Sequence, residues 1–278
     1  MMPADVEFAN VSDPGRKRPH NEDSAVTDGQ LGLALVADGM GGYKAGEVAS
    51  AIAAKSVLDG VREGHGKHRF TRGGVGDSDA SSGEALLIRD CIQAANKYIF
   101  DTAHAIPQCQ GMGTTIVAAL FSPNRVTLAH VGDSRIYRFR ADELKQITSD
   151  HSLVQELIDR GFFTPEEAQA NTPKNLVTRA LGIDEQVEVD VQELETQLGD
   201  IYLLCSDGLN DMVDDEEIRL TLSKYSANLG KAAQELVRLA NEGGGKDNIS
   251  VVLARPLAAP VGSAGLFGKV MGLFSRGS

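Results

Sequence analysis

The chain has 278 residues, a formal net charge of −12, 42% hydrophobic residues and 24% charged residues. This length allows one large hydrophobic core or two small ones, and the composition is ordinary for a globular protein. The negative charge argues against nucleic acid as a partner, because binding to phosphate backbones needs clustered Lys and Arg.

Hydrophobic patterning predicts two strand-rich stretches. The apolar run at 31–37 indicates a buried strand. Segments between 114 and 147 follow one another with turns too short for crossover helices, so we expect antiparallel strands there. In chain order, the predicted strands lie within 6–27 (two short strands around a polar loop) and at 31–37, 114–120, 126–131, 135–140, 144–147, 201–205 and 249–253.

Helical patterning occupies the segments between these strands. An Ala-rich helix is predicted at 45–58, Gly60 can end it, and the glycine-rich residues 60–83 are predicted to form a surface loop. The sequence at 164–167 has the form of a capping box. The other predicted helices are 84–105, 153–160, 165–170, 175–181, one opened by 214–217, and 229–242. Strands with helices outside them suit an α+β fold, a four-layer α/β/β/α sandwich of two antiparallel sheets.

The cysteines and the N-terminus bear on the compartment. Cys91, Cys109 and Cys205 match no zinc or redox spacing, and two of them, Cys91 and Cys205, are interpreted as small core residues. Residues 1–5 lack the basic flank and apolar run of a secretory signal. No stretch reaches the ~20 apolar residues of a membrane helix. We therefore expect a cytoplasmic protein.

Three aspartates stand beside glycines at the ends of predicted strands. Asp38 and Asp207 each follow an apolar run and precede glycine, and Asp247 follows three glycines and a lysine. Glycine allows sharp turns and close approach of the main chain to an ion. Close carboxylates repel one another unless cations lie between them. Oxygen ligands of this kind suit Mg²⁺ or Mn²⁺ rather than zinc.

Seven motifs follow one another along the chain. They are Arg-x-x-x-Glu-Asp (18–23), Asp-Gly-Met-Gly-Gly (38–42), Gly-Met-Gly-Thr-Thr (111–115), Val-Gly-Asp-Ser-Arg (131–135), Asp-His-Ser (150–152), Asp-Gly-Leu (207–209) and Asp-Asn-Ile-Ser (247–250). In this order they resemble the metal-dependent protein phosphatases of the 2C type (PPM family), in particular bacterial serine/threonine phosphatases. The resemblance covers residues 5–255. It implies the same sandwich fold, with a catalytic domain at 1–255, a flap subdomain at 148–190 and a tail at 256–278.

The resemblance also implies a centre of two Mn²⁺ or Mg²⁺ ions whose bridging water attacks the phosphoryl group. Asp38 would bridge both ions, and the carbonyl of Gly39 would bind one of them. Asp207 and Asp247 would hold the other ion. Bacterial relatives hold a third, weaker ion at the position of Asp133, for which a simple turn role is equally open.

Further residues match the family's substrate contacts and supporting groups. Arg18 resembles the phosphate-binding arginine, because its guanidinium fork matches two phosphoryl oxygens. Glu22 and Asp23 would support the ions through bound water or by holding their ligands. Met40 departs from the histidine of many eukaryotic members, so the proton donor to the leaving alcohol stays open.

The resemblance therefore predicts a serine/threonine phosphoprotein phosphatase acting on targets of serine/threonine kinases. An inactive member that binds phosphoproteins or regulates a kinase is one alternative. The family branch that dephosphorylates regulators of transcription factors is another. The tail has helically spaced apolar residues, glycines and only basic charges. It would dock on a partner, a membrane surface or the body of the protein, with disorder as the alternative. His130 is interpreted as a core residue and His151 as a capping or solvated one.

Overall fold

Two antiparallel β-sheets lie face to face between pairs of helices in the computed structural model, which describes residues 5–42, 45–67, 82–173 and 176–257. The strands in these ranges are β1 (Val6–Asp13), β2 (Asp23–Asp28), β3 (Leu33–Met40), β4 (Gly113–Thr114), β5 (Ile116–Ser122), β6 (Arg125–Val131), β7 (Arg135–Arg140), β8 (Glu143–Gln146), β9 (Asp190–Glu195), β10 (Ile201–Cys205) and β11 (Ile249–Pro256). The helices are α1 (Ala45–Lys67), α2 (Gly83–Ala105), α3 (Leu153–Asp159), α4 (Pro165–Asn171), α5 (Asp207–Asn210), α6 (Asp215–Tyr225) and α7 (Leu229–Glu242).

The sheet topology confirms the predicted four-layer sandwich. One sheet has the strand order β1-β11-β10-β7-β8, and the other has the order β2-β3-β5-β6-β9, with β4 paired to the end of β3. Helices α1 and α2 cover the second sheet, and α6 and α7 cover the first. None of the helices in the described ranges has the length and apolar character needed to cross a bilayer.

Strands at the centre of each sheet are buried on both faces, which explains their continuous apolar runs. In β3, Leu33 and Leu35 pack against the helices, while Ala34 and Val36 pack against the opposite sheet. Tyr202 of β10 meets Phe121 across the two sheets, with ring centroids 5.6 Å apart in an edge-to-face contact. Side chains alternate with period two along a strand, so each strand contributes to two layers of core.

The prediction that Gly60 ends the first helix is wrong, since α1 continues through Gly60 and Gly64 to Lys67. A Cβ on Gly60 would lie 2.7 Å from Sγ of Cys91, and one on Gly64 would lie 2.4 Å from Cδ1 of Leu87. Both partners belong to α2. The glycines therefore let two helices pack closely and do not break the helix. The rest of the predicted surface loop, 68–81, lies outside the described residues.

The segment between β8 and β10 holds two further corrections. The predicted helix at 175–181 is absent from 176–181, the part of it that the structure describes. Instead, Leu181 and Thr114 exchange both backbone hydrogen bonds, at 3.1 and 2.8 Å. The patterning also missed β9, an edge strand on β6. Its Asp, Gln and Glu residues hide the apolar alternation, as is common where a sheet edge carries charge.

The other predicted helices are confirmed with shifts of up to a few residues, whereas the short helix α5 was not predicted. The capping box at the start of α4 is present, with Glu167 N bonded to the Thr164 hydroxyl and Thr164 N bonded to the Glu167 carboxylate. Strand β11 extends to Pro256, one residue past the predicted end of the catalytic domain, and Leu257 N donates to Asp5 O at 2.7 Å. Residues 258–278 of the predicted tail lie outside the described ranges.

We predict that Gly60→Ala lowers the free energy of unfolding by about 1–2 kcal/mol. Alanine favours a helix by about 1 kcal/mol over glycine, but the added methyl would collide with Cys91, and overpacking costs about 1–3 kcal/mol. In a Cys91→Ala background, which removes the collision, the same substitution should become neutral or stabilising. Chemical denaturation of the four proteins measures this, and equal effects of Gly60→Ala in both backgrounds would contradict the packing explanation.

Candidate metal centre

Asp38 projects into the space between the two sheets. It continues the row of Ala34 and Val36, which face the opposite sheet, because side chains two residues apart lie on one face of a strand. Asp23 of β2 is paired directly with Asp38 in the antiparallel register. The two carboxyls therefore lie close together at one end of the sheet.

The other sheet brings two more aspartates to the same end. Asp207 follows β10 and begins α5, while Asp247 lies just before β11, the neighbour of β10. Ser206, which precedes Asp207, donates its hydroxyl to Oδ2 of Asp23 at 2.8 Å and so joins the two sheets. Asp133 lies where the chain crosses from β6 in one sheet to β7 in the other.

Burial raises the pKa of four of these carboxyls, and repulsion from neighbouring carboxylates adds to the effect. The pKa of Asp38 lies well above its ordinary value because of burial and then the charges of Asp23 and Asp207. Burial, with Asp133 and Asp247 nearby, raises the pKa of Asp207 to about 8. Burial likewise raises the pKa of Asp23 to about 6 and that of Asp133 to about 6. The structure thus brings together all five predicted aspartates, and its geometry opposes the ionisation of Asp23, Asp38, Asp133 and Asp207.

Two oxygens in this cluster lack partners among the described residues. Oδ1 of Asp23 and Oδ1 of Asp207 are buried and accept no hydrogen bond. Buried polar atoms of folded proteins are nearly always satisfied, so an unsatisfied carboxylate oxygen needs an explanation. Divalent cations with oxygen ligands would satisfy these atoms and remove the repulsion. The chemistry of the cluster therefore fits Mg²⁺ or Mn²⁺.

Gly39 is a glycine because of a close backbone approach. A Cβ at this position would lie 2.1 Å from O of Gly46 in the first turn of α1. Its N–H donates to O of Glu22 at 3.2 Å. The Glu22 carboxylate approaches the backbone of Gly46, where the N-terminal end of a helix favours negative charge. Burial raises the pKa of Glu22. Both predicted residues thus border the aspartate cluster.

Arg18 lies at the outer edge of the cluster. Its Nη2 is 2.7 Å from Oδ2 of Asp247, and its side chain is 53% exposed. The hydrogen bond to Asp247 raises the pKa of Arg18. A guanidinium that uses one nitrogen on Asp247 keeps other donors for an incoming anion. The structure therefore places Arg18 beside the carboxylates.

Asn248 is a site residue that sequence reasoning missed. Its buried Nδ2 donates to O of Pro14 at 3.0 Å and to O of His20 at 2.9 Å, and its Oδ1 accepts from N of Glu22 at 2.8 Å. One amide side chain thus fixes the loop at 14–22, which carries Arg18. The signal in the sequence was the amide directly after Asp247, a side chain with two donors and one acceptor.

The backbone of this loop is fastened to the segment before β11 as well. N of Arg16 and N of Lys17 both donate to O of Gly245, at 2.7 and 3.1 Å. Gly15 has φ of +77°, and a Cβ there would lie 2.1 Å from O of Asp247. Only glycine fits this contact without moving the backbone of Asp247. Arg18 and Asp247 therefore stand on two loops that are held together.

A second polar cluster, formed by His130, His151 and Asp190, has a different character. The rings of the two histidines stack at 4.6 Å, and N of Gly132 donates to Nδ1 of His151 at 3.1 Å. Nη1 of Arg179 lies 2.8 Å from Oδ1 of Asp190 and 3.1 Å from Nε2 of His151. The guanidinium therefore already balances the charge of Asp190, as a metal ion would do. The prediction for His130 is confirmed, and that of a solvated or capping His151 is wrong because the fold buries it. Burial lowers the pKa of both histidines.

Comparisons with known proteins agree with this geometry. The family model described as "Protein phosphatase 2C" matches residues 16–241. The chain is 42% identical over 252 residues to the serine/threonine protein phosphatase PstP of Mycobacterium tuberculosis, a match covering 90% of this chain and 45% of that protein. The chain thus spans about half the length of this relative. It is 38% identical over 247 residues to the serine/threonine phosphatase stp of Listeria innocua, covering 87% of this chain and 92% of that protein.

A solved structure gives the same result. The catalytic domain of PstP in complex with two manganese ions matches with a TM-score of 0.76 and 39% identity, covering 91% of this chain and 99% of that chain. The fold, the order of the motifs and these matches lead to one conclusion. The chain belongs to the protein phosphatase 2C family.

Proposed function

We propose that this protein is a serine/threonine phosphoprotein phosphatase that hydrolyses phosphoserine and phosphothreonine in the targets of serine/threonine kinases. The observation that carries the proposal is the cluster of buried carboxyls with two unsatisfied oxygens beside Arg18. The names of the mycobacterial and Listeria relatives support the same activity. Free cysteines in the described ranges are compatible with a reducing compartment, so we propose a cytoplasmic protein that acts in signal transduction.

We assign the ligands of two Mn²⁺ or Mg²⁺ ions to Asp38, the carbonyl of Gly39, Asp207 and Asp247. A third ion would use Asp133 together with Asp207. The two manganese ions in the PstP structure support this number. When bound, such ions activate a water molecule as nucleophile and offset the negative charge of the phosphoryl oxygens.

The chain's own residues would bind and orient the substrate. Arg18 would hold two phosphoryl oxygens with its guanidinium fork. Asn248 would keep Arg18 at a constant distance from the carboxylates, because it fixes both ends of the loop at 14–22. Asp23, tied to Ser206, would hold Asp38 in place, and Glu22 would orient bound water. An inactive, phosphoprotein-binding role is less compatible with a complete set of ligands.

We predict that Asp38→Asn and Asp207→Asn each lower Mn²⁺-dependent phosphate release from a phosphothreonine peptide by about 100-fold or more, since even groups that only support a metal ligand cost about 10–100-fold. Asp101→Asn, an exposed acid on α2, is the matched control. In chelator, Asp207→Asn should melt above the wild type, because the buried carboxylate is gone. Wild-type turnover in either cluster variant would exclude that residue as a ligand.

The stability of the metal-free protein should fall as pH rises. A carboxyl whose pKa is raised on folding binds its proton more tightly in the folded state, so its contribution is lost as pH rises through the folded pKa. With Asp23 at about 6 and Asp207 at about 8, the melting temperature in chelator should decline between about pH 5 and about pH 8. Mn²⁺ should therefore raise the melting temperature more at the upper end. A shift that is independent of pH, or absent, would contradict the assignment.

Arg18→Ala should raise KM for phosphopeptides, with a fall in kcat/KM of about 10-fold. This is the lower end of the ~1.5–3 kcal/mol expected for a charged hydrogen bond, because Arg18 is half exposed. Arg16→Ala removes a neighbouring charge and serves as control. The measurement is steady-state kinetics. Equal KM values for both variants would show that Arg18 is a solvated residue that does not bind the phosphate.

Asn248→Ala extends the same test to the loop at 14–22. Its effect on kcat/KM should have the same direction, because Arg18 would lose its fixed position. When Asn248→Ala is combined with Arg18→Ala, kcat/KM should fall little further than in Arg18→Ala alone, because both substitutions remove the same contact between Arg18 and the phosphate. Fully additive effects would show that Asn248 acts on something other than Arg18.

Removal of residues 262–278 should leave hydrolysis of a small phosphate ester unchanged. All seven motifs end by residue 250, and β11 ends at Pro256. The apolar and basic residues of the tail favour docking on a membrane surface or a partner. Turnover and liposome co-sedimentation of the full and shortened chains measure both effects. A large fall in turnover of the ester would contradict the docking role.

A further inference from the structure

A cavity of about 660 Å³ opens beside the aspartate cluster. Arg18 and Asp247, the ion pair at the edge of the cluster, form part of its wall. Lys17 and Lys246 line it as well, and each directly precedes one of these two residues in the sequence. A phosphoryl group held by Arg18 would therefore enter next to this cavity.

Two of the three positive side chains of the cavity are unpaired within the described part of the chain. The side chains of Lys17 and Lys246 are exposed and form no ion pair or hydrogen bond with the part of the chain that the structure describes. By contrast, Lys55 and Lys97 are each paired with an aspartate one helical turn away. Free ammonium groups beside an active centre are available to a ligand.

The backbone holds these lysines in place. N of Lys17 donates to O of Gly245, the residue before Lys246, at 3.1 Å. The aliphatic part of Lys246 lies along Gly244, about 4 Å from where a Cβ would be. The backbones of the two lysines thus stand on loops that are joined to each other.

The balance of charge in the cavity is positive once internal pairs are removed. Asp211 and Asp247 are its carboxylates, and Asp247 is neutralised by Arg18. Lys17 and Lys246 then outnumber Asp211. This local sign is opposite to the net charge of −12 of the chain. The net charge of the chain repels a negative ligand and the two lysines attract it, which favours both its binding and its orientation at this place.

We propose that this cavity receives an anionic group of the substrate, placed within a few residues of the phosphorylated one, and that Lys17 and Lys246 select such substrates. The proposal rests on the proposed phosphatase function and names its substrate class, phosphopeptides with a second negative charge. An extended peptide advances about 3.3 Å per residue, so neighbours of a phosphoresidue bound at Arg18 reach the cavity. The anionic group can be a carboxylate or a second phosphate.

Four phosphothreonine peptides test the proposal, identical except for flanking positions that carry Ala, Glu, phosphoserine or Lys. The readout is the ratio of kcat/KM between each charged peptide and the Ala peptide, which is independent of the fraction of active enzyme. For the wild type we expect ratios above one for Glu and phosphoserine and below one for Lys. The kcat/KM ratio should be higher for the phosphoserine peptide than for the Glu peptide, because phosphoserine carries nearly two negative charges.

The doubly substituted variant, Lys17→Glu with Lys246→Glu, should lower the Glu and phosphoserine ratios by about fivefold and raise the Lys ratio, since each exposed pair changes by a few-fold. Lys231→Glu, a charge reversal on α7 outside this cavity, should leave the ratios near the wild type. Higher salt should weaken the wild-type preference by screening. Hydrolysis of a small phosphate ester monitors the centre itself.

Equal rates for all four peptides in the wild type would overturn the proposal. So would ratios that survive the double substitution, or that change equally in Lys231→Glu. If none of the peptides is hydrolysed, the proposed phosphatase function is wrong. Binding of the same peptides, measured by fluorescence anisotropy, then tests separately whether the cavity prefers anionic peptides. Tighter binding of the anionic peptides, lost in the double variant, supports the proposal, and equal binding contradicts it.

Discussion

Repulsion between buried carboxyls is the constraint on which the rest of this structure depends. Asp38, Asp23 and Asp207 stand in the space between two sheets, where burial and mutual charge raise the pKa of each. Hydrophobic layers on either side hold them there. Such an arrangement costs stability at neutral pH unless cations are bound. We therefore infer that the metal-free protein loses stability by burying these carboxyls, and that the same arrangement lets it bind metal ions. Sites that reduce stability in this way are common where they serve function.

Close backbone packing holds the segments around these carboxyls in fixed positions. Gly39 contacts the first turn of α1, and Gly15 contacts the backbone of Asp247. Asn248 joins the loop of Arg18 to the strand that follows Asp247. These contacts place one guanidinium beside the carboxylates without burying it. In our account, the inner carboxylates hold the ions, Arg18 holds the phosphoryl group, and the lysines beyond it select the flanking charge.

Much of this arrangement could be predicted from the sequence because it depends on local periodicity. Continuous apolar runs along β3 and β10 mark strands buried on both faces, and the order of the motifs indicates the aspartates. Contacts between distant segments could not be predicted. Gly60 resembles a helix end until Cys91 of α2 is seen beside it. The bonds of Asn248 to Pro14 and His20 join segments more than 200 residues apart, so nothing near Asn248 in the sequence indicates them.

The most direct test of the central claim is to locate the ions. Crystals grown with Mn²⁺ and measured at the manganese absorption edge would show each ion as an anomalous peak, whatever the activity of the protein. Our account predicts two strong peaks, one in contact with Asp38 and the other shared by Asp38, Asp207 and Asp247. Peaks at the His130, His151 and Asp190 cluster instead, or ordered aspartates without any manganese between them, would contradict it.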